Sequence, residues 1–126
     1  MGALRARVLV VDDSDVFLGV AASVILATST LRLVGAVGSG LEAIRLLPQL
    51  RPDLVLLDFR MPGMNGVQAT RIIRRDEPRT VVIVISTASE GLSEVARAAG
   101  AAATLHKRDF GPSTLEALWL KHMPDG

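Results

Sequence analysis

The sequence contains no cysteine. Disulfides, thiolate metal sites and cysteine nucleophiles are therefore excluded, and the absence fits a reducing compartment. Tyrosine is also missing, and Phe17, Phe59, Phe110 and Trp119 are the only aromatics. The core must be built from Val, Leu, Ile and Ala. There is no charge of one dominant sign: 14 basic residues face 13 acidic ones, for a net charge of +1. This is not the balance of a nucleic-acid binder or of a chain with an acidic tail. Long hydrophobic runs are lacking too. The longest apolar stretch, Val16 to Ala27, is too short to span a bilayer. It follows Asp12, Asp13 and Asp15, whereas a secretory signal carries basic residues before its apolar core. The chain reads as cytoplasmic, untargeted and without membrane contact.

What is present is 126 residues, about half of them apolar. That suits one domain over 1–126, with an ordered core from about 6 to 123. Arg7 to Val11 is a β-branched run stopped by two aspartates and reads as a buried strand. Ser14 and Asp15 are capping types before a helix over Val16–Thr28. A second strand follows at Leu31–Val37, and a helix at Leu41–Leu50 that Pro48 should kink or end. Leu54 to Leu57 is a third strand ending at Asp58, and Met61-Pro-Gly-Met-Asn-Gly66 is a loop. A helix over Val67–Arg75 precedes the fourth strand, Val81–Ile85. A fourth helix runs from Glu90 to Ala99 and closes on Gly100. Ala103 to His106 is a weak fifth strand, and Ser113 should cap a last helix to about His122. Five strand-then-helix repeats imply an α/β fold: a parallel sheet covered by helices on both faces.

Ligands of open parallel sheets bind at the carboxyl ends of the strands. Those ends carry Asp12 and Asp13 after the first strand, Asp58 after the third, Ser86 and Thr87 after the fourth, and Lys107 after the fifth. Three carboxylates so placed repel one another. A hard cation resolves the conflict, and Mg²⁺ suits a few carboxylates plus waters and phosphate oxygens. Asp13 and Asp58 are natural direct ligands, with Asp12 direct or through water. A carboxylate beside such an ion can be a nucleophile towards phosphorus. Lys107 and Ser86 could then neutralise and hydrogen-bond the incoming group.

The set Val-Val-Asp12-Asp13, Pro52-Asp-Leu-Val-Leu-Leu-Asp58, Met61-Pro-Gly-Met-Asn-Gly66, Ile85-Ser86 and Lys107 resembles the receiver domain of two-component response regulators. The resemblance covers nearly the whole chain. It implies a doubly wound, flavodoxin-like five-stranded parallel sheet of order 2-1-3-4-5, the order of the chemotaxis receiver. It also implies a sensor histidine kinase as phosphoryl donor, Asp58 as acceptor, and Mg²⁺ held by Asp13, Asp58 and the backbone carbonyl of Arg60, with Asp12 in an outer role. Ser86, or Thr87 beside it, would be the switch hydroxyl, and Lys107 the cation on the phosphate. The chain would act on itself alone and turn over no external metabolite.

Several positions depart from the pattern. Thr104 stands three residues before Lys107, where the family usually has an aromatic that turns inward on switching. Arg108 replaces a frequent proline, as in regulators of the LuxR/NarL type, which reach DNA through a separate helix-turn-helix domain absent from this chain. Thr87 replaces a smaller residue, and the segment from Ser86 to Gly100 is one residue short. Arg60 lies where side chains influence the lifetime of the phosphate.

The first helix carries no charge between Asp15 and Arg32. On a helical wheel Phe17, Val20, Ala21 and Val24 share the core face, and Leu18, Ala22 and Leu26 the opposite one. An outward apolar stripe suggests a homodimer or partner face, together with the last helix around Trp119. Arg71, Arg74, Arg75 and Arg79 read as the solvated face and cationic end of the third helix. His106 and His122 read as structural or solvent-facing, and Trp119 as a packing residue. Two other functions remain open: a pseudo-receiver acting as a phosphorylation-independent binding and dimerisation module, and a metal-dependent phosphatase using Asp58 as a transient nucleophile. The phosphatase would need an acid two residues on, and Arg60 is a poor one.

Overall fold

The computed structural model describes residues 4–87 and 91–125. Five strands, β1 (Ala6–Val11), β2 (Leu31–Val37), β3 (Leu54–Asp58), β4 (Val81–Ser86) and β5 (Ala103–His106), alternate with α1 (Asp15–Leu26), α2 (Gly40–Leu50), α3 (Gly66–Asp76), α4 (Leu92–Ala98) and α5 (Pro112–His122). All strand pairs are parallel, in the order β2-β1-β3-β4-β5. This is the flavodoxin-like arrangement expected from the resemblance. The expected start of the fourth helix at Glu90 lies outside the described residues.

Strand side chains alternate between faces, so each strand contributes to two cores. Leu9, Val11, Val55, Leu57, Val82 and Val84 pack with Ala43 and Leu47 of α2, Ala69 and Ile73 of α3 and Ala96 of α4. Val8, Val10, Leu54, Leu56, Ile83 and Ile85 pack with Ala21 and Ile25 of α1 and Leu115 and Trp119 of α5. With both faces covered, the strands can be continuously apolar. Trp119 is a core residue, as expected.

Local chemistry sets the helix ends. Ser14 caps α1, its hydroxyl accepting from the Phe17 N–H at 3.2 Å. Asn65 and Gln68 form a reciprocal capping box that starts α3. Gly100, with φ 111°, follows the last turn of α4 in the left-handed conformation glycine favours.

Two expectations need correction. The last helix begins at Pro112, with Gly111 rather than Ser113 at the cap. Proline suits the first helical position, because its missing N–H has no partner there and its φ is already helical. As expected, α2 ends at Leu50, two residues after Pro48, and closes on Arg51, φ 46°, whose N–H reaches the Leu47 carbonyl at 2.9 Å. So near the end only one ladder bond is lost, and the Arg7 guanidinium covers the Leu50 carbonyl at 2.8 and 3.0 Å.

The second correction concerns α1. Leu18 packs against the core beside Phe17 and Val24, whereas Val20 is 46% exposed. The outward stripe consists of Val16, Val20 and Leu26, with Leu26 at 88% exposure. Ala22 is half-buried at its edge. The core-facing arc is therefore rotated towards Leu18. Two sheet-facing anchors, Ala21 and Ile25, set it rather than the mean direction of a helix that is apolar all round.

Candidate metal and phosphate site

Period-two alternation decides which strand-end groups meet. Val8 and Val10, Leu54 and Leu56, and Ala103 and Leu105 all face the α1/α5 core. Two residues further along each strand line come Asp12, Asp58 and Lys107. These three converge. Lys107 Nζ lies 2.9 Å from Asp12 Oδ2 and 3.2 Å from Asp58 Oδ1. Asp13 joins from the turn after β1, and Asp12, Asp13 and Asp58 each bring an oxygen within 4.8 Å of the others. Asp12 is buried at 1% exposure and Asp58 at 6%, while Asp13 is exposed.

Each carboxylate is held differently. Asp12 Oδ1 accepts from the Ser14 N–H at 2.8 Å, which ties it to the start of α1. Its Oδ2 is buried and meets the Lys107 ammonium at 2.9 Å. Asp58 is the last residue of β3, and the following residue, Phe59, donates its N–H to Ile85 of β4 at 2.9 Å. Gly66 presses against this strand end. Its N–H reaches the Phe59 carbonyl at 2.8 Å, and a Cβ built there would lie 2.5 Å from the Asp58 carbonyl oxygen. Only glycine allows the loop and α3 to approach the acceptor strand so closely.

Burial, and next the neighbouring Asp12 carboxylate, push the Asp58 carboxyl above its ordinary value, outweighing the attraction of Lys107. For Lys107 burial works against the charged form. Hydrogen bonding and attraction from Asp12 and Asp58 prevail, and its pKa stands above the usual lysine value. One ammonium thus leaves the carboxylate cluster short of positive charge. The buried, under-coordinated Asp12 oxygen and the all-oxygen donor set fit a hard divalent cation such as Mg²⁺, with Asp13 open to solvent for a partly hydrated ion. When bound, such an ion neutralises charge on phosphoryl oxygens.

The remaining expected residues are more scattered. Ser86 ends β4 and is buried, one residue beyond the register partner of Asp58. Thr87 is exposed in the bend that follows, and Arg60 is exposed in the loop after β3. Thr104 is half-buried in β5. His106 has a structural role: its Nδ1 accepts from the Arg108 N–H at 3.1 Å and caps a 3₁₀ turn over Lys107–Asp109. Arg74, expected on a solvated face, donates to the carbonyls of Pro78 and Thr80.

The sequence reading missed an aromatic contact. Lys107 Nζ sits 4.4 Å from the centroid of the Phe17 ring, and Phe17 meets Phe110 at 5.2 Å between ring centroids, tilted by 52°. A cavity of about 730 Å³ lies at the opposite edge of the sheet near Asp53, Arg79 and Trp119. It is away from the carboxylates and from the carboxyl edge where ligands of such sheets bind.

Residues 8–118 match the family model of the response regulator receiver domain. The chain belongs to the receiver domain family. Its curated relatives include a protein-glutamate methylesterase/protein-glutamine glutaminase of Agrobacterium fabrum, 43% identical over 86 residues, or 68% of this chain and 24% of that protein. The chain thus spans about a quarter of that relative's length. Among solved structures, the response regulator domain of Thermotoga maritima CheB superimposes with a TM-score of 0.83 at 30% identity, covering 97% of this chain and 99% of that one. The receiver domain of the response regulator NarL from Mycobacterium tuberculosis gives a TM-score of 0.82 at 30% identity, covering 92% and 98%. The receiver neighbours therefore include both the NarL type and the methylesterase type.

Proposed function

We propose that this receiver domain accepts a phosphoryl group on Asp58 and uses the charged acyl phosphate to switch an output. The observation that carries this reading is the convergence of Asp12, Asp13 and Asp58, with one ammonium bridging Asp12 and Asp58 and with Asp58 buried at the end of its strand. An oxygen of Asp58 attacks phosphorus, and the bond to the donor breaks as the acyl phosphate forms. A sensor histidine kinase is the expected donor. Asp13, Asp58 and the Arg60 carbonyl would hold Mg²⁺, with Asp12 direct or through water. Lys107 offers its ammonium to the phosphoryl oxygens and Ser86, or its neighbour Thr87, a hydroxyl. The domain catalyses only its own phosphorylation and dephosphorylation, in the cytoplasm. Among the described residues no helix is long and apolar enough to cross a membrane.

Incubation with acetyl phosphate and Mg²⁺, followed by intact-mass measurement, tests the proposal. One adduct of about 80 Da on the wild type and none on Asp58→Asn is expected. No adduct with ample donor would end it. Arg60, exposed beside the acceptor, is placed to influence attacking water. Arg60→Ala should change the decay rate of the adduct, and equal rates would remove Arg60 from the reading.

The output belongs to another domain or partner. A DNA-binding domain accords with the NarL-type neighbour, and a methylesterase with the curated relative. The apolar outer stripe of α1, Val16, Val20 and Leu26, would contact a second copy or a partner. That stripe and the missing aromatic at Thr104 also favour a second reading, a pseudo-receiver that binds partners without phosphorylation. The same mass measurement separates the two.

A further inference from the structure

We propose that Phe17 is a positioning residue for Lys107: its ring face holds the ammonium where it bridges Asp12 and Asp58. The proposal rests on the reading of Asp58 as phosphoacceptor and extends it to a residue of α1.

Lysine is a compact charge on a flexible stem, so its placement needs an external constraint. Here the constraint is built from two directions. In the 3₁₀ turn that begins at Lys107, side chains three residues apart eclipse one another. Lys107 and Phe110 therefore emerge on one side, and the Phe110 N–H closes the turn on the Lys107 carbonyl at 3.2 Å. Both meet the same ring from α1, the ammonium over its face at 4.4 Å and Phe110 tilted against it at 5.2 Å. A tilted pair at this spacing is a favourable aromatic geometry, and a cation over a ring face is attracted by the ring's quadrupole.

The contacts then close into a loop. The Phe17 N–H donates to Ser14 Oγ, the Ser14 N–H donates to Asp12 Oδ1, and Asp12 Oδ2 faces Lys107 Nζ, which lies over Phe17. The ring and the carboxylate that hold the ammonium are thus fixed to each other through one helix cap. Thr104, half-buried in β5, supplies no ring near this lysine. Positive charge fixed in advance is worth most where negative charge develops on a phosphoryl group, because nothing has to reorganise. In this chain that preorganisation comes from α1.

Three variants separate ring electronics from packing. Phe17→Leu keeps apolar bulk without a π face, and Phe17→Tyr keeps the face. Pentafluorophenylalanine at position 17 keeps the shape but reverses the quadrupole, so it serves as the folded control if Phe17→Leu fails to fold. The first readout is the rate of phosphorylation by acetyl phosphate at saturating Mg²⁺, by intact mass. The second is the ¹H–¹³C signal of the Lys107 ε-methylene in metal-free protein, which a ring beneath it shifts upfield.

The rate should fall roughly fivefold with leucine or the fluorinated ring and be retained with tyrosine. The upfield shift should vanish in Phe17→Leu and persist in Phe17→Tyr. Equal rates for wild type and the fluorinated protein, or a Lys107 signal unmoved by Phe17→Leu, would overturn the role of Phe17 while leaving Asp58 as acceptor. A wild type that takes up no phosphoryl group would remove the phosphoacceptor reading and this proposal with it.

Discussion

Asp58 carries an electrostatic load that the fold tolerates. Its carboxyl lies above the ordinary value of 3.8, from burial and then from Asp12. A carboxyl with a raised folded-state pKa opposes folding once ionised. The penalty is absent well below pH 3.8, grows as pH rises from there through the higher folded value, and is complete beyond it. Asp58→Asn mimics the uncharged form. It should stabilise the metal-free protein at neutral pH by on the order of 1 kcal/mol, with the gain vanishing in acid; melting curves across pH measure this. Lys107→Met should act in the opposite sense, because it leaves two buried carboxylates facing each other without the ammonium. Removing one partner of a fully buried pair costs about 3–5 kcal/mol, and this half-open lysine should cost less. Mg²⁺ should restore much of the loss. A melting temperature unmoved by Mg²⁺ in the variant would count against a cation site among these aspartates.

At the scale of elements, the site depends on how closely α3 and its loop press on β3. The Gly66 backbone is nearly in contact with the carbonyl end of Asp58, and any Cβ there meets backbone, which cannot rotate away. Gly66→Ala should therefore destabilise by about 2 kcal/mol or more. It should also slow acyl phosphate formation more than its stability loss explains, since the strand end that aims Asp58 must shift. Urea titration paired with phosphorylation rates at a temperature where the variant is fully folded checks both parts. The cap of α1 was legible because it depends on adjacent residues: Ser14 accepts from the Phe17 N–H within one turn. The start of α5 was misread because Pro112 and Ser113 both suit a helix entry, and the backbone chose the one whose ring fixes φ.

For the whole molecule, the free apolar face of α1, with Val16 and Leu26 largely in solvent, is a feature that the two cores do not absorb. Val16→Glu with Leu26→Glu should leave the monomer's stability within about 0.5 kcal/mol, because both side chains already face water. If this face joins two copies, sedimentation should show the pair of substitutions shifting an oligomer to monomer. An oligomer of unchanged size would assign its interface elsewhere.

From sequence alone, alternation of apolar strands and helices determined the layered α/β architecture. The strand-end positions determined which carboxylates and which lysine could meet. Period-two geometry carries Asp12, Asp58 and Lys107 to one face once the strands are parallel, and that information is local. Tertiary structure decided what depends on distant partners. It turned α1 towards the sheet on Ala21 and Ile25, burying Leu18 and exposing Val20. It also set a ring from the first helix beneath a lysine ninety positions later in the chain. No periodicity encodes such a contact, because it arises only when the assembled sheet brings α1 and the turn after β5 to the same edge.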